Sequence, residues 1–124
     1  MTIRAACLTG VLLLAAASSS FANPTSMSAA GALLEACEVA RSGQSNFDSG
    51  YCLGRVAGAA WTVNAFATEL QPGRECIPAG VNADQLIRVF VKFASDNPNR
   101  LHEPDLRIVF DAMQQAWPCL KVPR

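Results

Sequence analysis

Apolar residues recur at helical spacing in four separate stretches of the chain, and no stretch alternates apolar with polar residues long enough to predict a strand. In the first, from about Ser28 to Arg41, Leu33, Leu34, Cys37 and Ala40 fall at i, i+1, i+4 and i+7 and make one apolar stripe. Ser42, Gly43, Gln44, Ser45 and Asn46 end it. The second is expected to start with Asp48 or Ser49 as N-cap and to run to about Leu70, ahead of the stop at Pro72 and Gly73. The third has the clearest start signal, Asn82 as N-cap with Gln85 at N3. Leu86, Ile87, Phe90, Val91 and Ala94 form its stripe, and Pro98 closes it because the preceding Asn97 disfavours the helical region. The fourth is expected to begin around Glu103, with Pro104 at the first helical position and Leu106, Val109, Phe110, Met113 and Trp117 facing inward. The predicted fold class is therefore all-α, a small four-helix up-down bundle.

The second helix departs from a one-sided pattern. Val56, Ala57, Ala59, Ala60, Trp61, Val63, Ala65, Phe66 and Ala67 spread apolar character almost all the way round it, so it calls for burial on every side. Gly54 and Gly58 stand four apart on one face, at a cost of about 1 kcal/mol each in helix propensity, and would let a neighbouring backbone approach closely. One reading is a central core helix. The other is an outer face covered by a second subunit or partner, which makes Trp61 and Phe66 the candidate dimer-interface residues.

The N-terminal stretch belongs to none of these helices. Arg4, an uncharged run from Ala5 to Ala17, and small residues at Ser20 and Ala22 have the order of a secretory signal peptide cleaved after Ala22. The run of 13 residues falls short of the roughly 20 needed to span a bilayer, so no membrane anchor is expected after cleavage. The domain reading is a signal peptide at 1–22 and one domain at 23–124, working in the periplasm. Without Arg4, nine basic and ten acidic side chains remain, a balance with no basic footprint for nucleic acid.

Cys7 leaves with the signal, and Cys37, Cys52, Cys76 and Cys119 form an even set in a short exported domain, the setting of a disulfide framework. Four cysteines allow three connectivities. In an up-down bundle, Cys37 and Cys52 lie close to the first turn, while Cys76 and Cys119 lie at the opposite end. That arrangement favours Cys37 with Cys52 and Cys76 with Cys119.

Four motifs, taken together, resemble one family. They are the run Tyr51, Cys52, Leu53, Gly54, Arg55, Val56, Ala57, Gly58; Cys76, Ile77, Pro78 ahead of Val81, Asn82, Gln85 and Leu86; Asn97, Pro98, Leu101 and His102; and the closing Trp117, Pro118, Cys119. The set spans about Leu33 to Cys119 and is similar to the Rap/Tai family of type VI secretion amidase-effector immunity proteins. The resemblance implies a helical periplasmic inhibitor, often dimeric, that binds a peptidoglycan amidase effector and blocks its active-site cleft. It implies a protein partner and no enzymatic activity.

Catalytic readings have little to stand on. His102 is the single histidine, so any Cys-His or Ser-His relay would have to be built around it, and no catalytic residue, metal site or cofactor is expected. Glu35 and Glu38 read as a solvated helix face, and Tyr51, Arg55 and Glu69 carry no assigned role. The candidate partner-binding residues are Asp96, Asn97, Asn99, Arg100, His102 and Glu103, a polar loop stiffened by Pro98. Arg100 leads them because its planar fork holds a carboxylate in two hydrogen bonds. The alternative function is a periplasmic helical chaperone or stress-related binding protein with no dedicated toxin partner.

Overall fold

The computed structural model describes residues 29–119, so the expected signal peptide and its cleavage site lie outside the described residues. Four α-helices make up the domain: α1 (Ala30–Arg41), α2 (Phe47–Leu70), α3 (Ala83–Asp96) and α4 (Asp105–Ala116). A single 3-10 turn, Pro98–Arg100, follows α3. Among the described residues there is no strand, only an isolated bridge between Ala29 and Pro104. The all-α expectation holds.

Two of the expected helix starts shift. Asn46, not Asp48 or Ser49, caps α2, because its Oδ1 accepts the Ser49 N–H at 3.1 Å. Pro104 is extended at ψ 133° and stands before α4 rather than inside it, so the helix begins at Asp105. The cap of α3 is where the sequence puts it, with Asn82 Oδ1 accepting the Gln85 N–H at 2.9 Å.

Every pair of helices touches, around a core whose largest fully buried side chains are Phe90, Leu33, Ile108, Met113, Val56 and Val109. The Cys37–Cys52 bridge ties α1 to α2 with 5.0 Å between Cα atoms. The Cys76–Cys119 bridge, at 5.1 Å, ties the loop after α2 to the segment after α4. Asn64 on α2 holds that loop in register: its Oδ1 accepts the Cys76 and Ile77 N–H groups at 3.1 and 2.8 Å, and its Nδ2 donates to the Ile77 carbonyl at 3.0 Å.

The helices are unequal in length. α2 has 24 residues and α1 only 12, about 36 Å against about 18 Å. The α3–α4 connection meets the N-terminal tip of α1, and Asp105 just after it packs against Tyr51 and Arg55 in the first turns of α2. Ala30 N–H donates to the Glu103 carbonyl and Gly31 N–H to the Leu101 carbonyl, both at 2.9 Å. These bonds occupy two of the N–H groups that a helix start leaves without intrahelical partners.

Candidate functional site

The loop from Asp96 to Glu103 is a folded unit. Asn97 ends α3 and its Nδ2 donates back to the Phe93 carbonyl at 2.8 Å. Pro98 opens the 3-10 turn, and Arg100 N–H and Glu103 N–H then close successive turns onto the Asn97 and Arg100 carbonyls, each at 3.0 Å. Together with the two bonds into α1, these leave the loop backbone fixed at both ends.

Arg100 is the centre of that unit. Its Nε and Nη2 grip the two Glu103 oxygens at 2.7 and 2.8 Å, Nη2 also reaches Asp111 Oδ2 at 2.6 Å, and the guanidinium lies 5.8 Å from the Phe93 ring centroid. The hydrogen bonds to Glu103 and Asp111 push the Arg100 pKa further up and hold the Glu103 carboxyl below the ordinary glutamate range. The fork that sequence reasoning reserved for a partner's carboxylate is thus already filled from within the chain. What the loop turns to solvent is Pro98, Asn99 and His102. Asp96 is exposed as well, paired with Lys92 at 2.7 Å one helical turn away.

A second surface lies on α2. Trp61 is 81% exposed and Phe66 61%, alongside Phe47, Leu53 and Leu70. A Cβ built at Gly50, Gly54 or Gly58 would meet nothing within 4 Å, so among the described residues no element uses the close approach that the glycines permit. Gly54 and Gly58 instead floor an open groove of about 470 Å³ between α2 and α4, walled by Phe66, Leu106 and Phe110.

Sequence reasoning missed the most buried polar group. Asp105 is 1% exposed, the only charged side chain in the core of the described residues. Arg55 clasps it with Nε to Oδ2 at 2.8 Å and Nη2 to Oδ1 at 2.5 Å, and the Tyr51 hydroxyl donates to Oδ2 at 3.1 Å. Leu106 N–H adds a bond to Oδ1 at 2.6 Å, which serves a helix start that Pro104 leaves without a side-chain cap. The hydrogen bonds that Arg55 donates to Asp105 raise the Arg55 pKa, while burial, followed by the Asp105 charge, raises that of Tyr51. Two signals were available: Tyr51 and Arg55 stand four apart on one face of α2, and an aspartate follows a proline at a helix start.

Among the described residues no three of His, Cys, Asp and Glu gather in a way that would hold a metal. The arrangement is that of a binding domain: a small helical scaffold, stapled twice, that holds one loop rigid and leaves one helix face uncovered. The family model for Rap1a immunity proteins matches residues 29–119, and the chain belongs to that family. It is an immunity protein, whose partner is a protein effector of type VI secretion. No curated protein and no solved structure matches the chain.

Proposed function

We propose that this protein is exported to the periplasm and there neutralises a peptidoglycan amidase delivered by type VI secretion, presenting residues 96–103 to the amidase's active-site cleft. One observation carries the choice of surface: the loop's exposed polar groups, at Asn99 and His102, sit on a backbone fixed by internal hydrogen bonds and by Arg100. A loop already held in one conformation loses little entropy on docking, and an inhibitor of a cleft depends on that economy. In this reading Asp96, Asn99 and His102 touch the amidase. Arg100, Glu103 and Asn97 set the loop's shape. The test is inhibition of a cognate amidase, read as release of stem peptide from purified peptidoglycan. Paired Asn99→Ala and His102→Ala substitutions should weaken inhibition while leaving thermal stability unchanged. Undiminished inhibition by that variant would move the interface elsewhere.

The active unit we propose is a homodimer joined through the outward face of α2, where Trp61 and Phe66 add large apolar area beside glycines that allow a second backbone close. Trp61→Glu should convert dimer to monomer in sedimentation velocity. A wild-type monomer at high micromolar concentration would overturn this part of the reading without touching the loop.

A further inference from the structure

A third surface answers to neither of these roles. Between α1 and the start of α2 runs a groove of about 310 Å³, lined by Ala32, Glu35, Ala36 and Val39 on one side and Phe47, Asp48 and Tyr51 on the other. The alanines and Val39 make its apolar floor and leave the room. Phe47, the first residue of α2, is 71% exposed, an unusual position for a phenylalanine with nothing to cover it. Its ring stacks on Tyr51 with centroids 6.1 Å apart and planes within 5° of parallel. The Tyr51 hydroxyl is in turn held by Asp105, so that ring is fixed from the buried side.

Charge settles what such a groove accepts. Glu35 and Asp48 flank it, both exposed, and no cation of the described chain forms an ion pair with either. An exposed phenylalanine ring held parallel to a tyrosine, with a carboxylate on each helix, matches a flat cation with an apolar stem. A guanidinium stacks on aromatic faces and offers N–H donors along its edges, which a compact ammonium does not. The volume stands at the lower limit of small-molecule sites, the scale of one side chain rather than of a cofactor.

We infer that the α1–α2 groove is a docking site for an arginine side chain presented by a protein partner. It shares no residue with the 96–103 loop, and on α2 it uses only the first turns, Phe47 to Tyr51, well before Trp61 and Phe66, so it adds a contact separate from both. The aliphatic stem crosses Ala32 and Ala36, the guanidinium stacks on the exposed Phe47 ring, which Tyr51 backs, and Glu35 and Asp48 take its edges.

The experiment is a titration of the purified domain, followed by two-dimensional NMR, with three blocked tripeptides: acetyl-Gly-Arg-Gly-amide, its lysine counterpart and its citrulline counterpart. Citrulline keeps the shape of arginine and removes the charge. The arginine peptide should give saturable shifts at Phe47, Tyr51, Glu35 and Asp48, the lysine peptide should bind more weakly, and the citrulline peptide should bind at least about fivefold more weakly. Glu35→Gln, on an exposed helix face and without effect on the fold, should weaken the arginine peptide by several-fold, and Phe47→Ala should do the same. Glu38→Gln, a charge on the same helix outside the groove, should leave it unchanged. Equal binding of the arginine and citrulline peptides, shifts scattered over the surface without saturation, or Glu35→Gln and Glu38→Gln behaving alike would each overturn the inference.

Discussion

Arg55→Met tests the buried node directly, because methionine keeps an apolar stem in the α2–α4 contact and removes only the charge and its donors. In the native domain the Asp105 carboxylate, 1% exposed, receives two bonds from Arg55, one from Tyr51 and one from Leu106 N–H. Removing one partner of a buried pair costs about 3 to 5 kcal/mol, since the remaining charge stays desolvated without compensation. Two facts place this site at the low end. Asp105 keeps the Tyr51 and Leu106 donors, and the Arg55 side chain is already 34% exposed. A loss of about 3 kcal/mol corresponds to a fall in Tm of about 12 to 24 °C for a domain of this size. Urea denaturation followed by far-UV circular dichroism measures it. Adding Asp105→Asn to Arg55→Met should recover part of the loss, because the amide can be buried without a counter-charge. A cost below about 1 kcal/mol for Arg55→Met, with the double variant no better than the single, would refute the assignment of this node as a stability determinant.

Other expectations follow from the same packing. Replacing Cys76 and Cys119 by serine opens a closure of 43 residues and should cost about 4 kcal/mol, against about 3 kcal/mol for the 15-residue closure of Cys37 and Cys52. Denaturation of the two serine double variants under oxidising conditions checks the order. Glu103 is held below its ordinary 4.5 by Arg100, so its contribution to stability is present at neutral pH and is lost as pH falls below that value. Arg100→Gln should flatten the acid limb of the stability profile there, and an unchanged limb would show that the ion pair contributes nothing. Because Arg100 also reaches Asp111, the same variant should loosen the loop, seen as faster amide hydrogen exchange at Leu101 and Glu103, rather than only weaken a partner contact.

Local chemistry is what the sequence exposes well. Asn82 and Pro98 mark the ends of α3 through bonds and clashes within a few residues, and both work as expected in the folded chain. Asn46, Asp48 and Ser49 are all good caps in sequence terms, and only geometry decides that the Asn46 oxygen meets the Ser49 N–H. The Arg55–Asp105 pair was illegible for a different reason. Its partners stand 50 residues apart, and no periodicity brings them together before α2 and α4 pack. The sequence marks Arg100 for a partner's carboxylate, and in the folded chain Glu103 and Asp111 already bond its guanidinium. The all-round apolar character of α2 points to Trp61 and Phe66, and both side chains are exposed among the described residues.

In the proposed function, this immunity protein engages a peptidoglycan amidase directly and tightly through its preorganised loop. Isothermal titration of the purified domain into a cognate type VI amidase effector, run in parallel with the peptidoglycan digest, tests that reading most directly. The account predicts saturable binding in the nanomolar range or tighter, loss of stem-peptide release at the same stoichiometry, and at least about a tenfold loss of affinity on combined Asn99→Ala and His102→Ala substitution. Full amidase activity in the presence of a stoichiometric excess of the folded domain would contradict it.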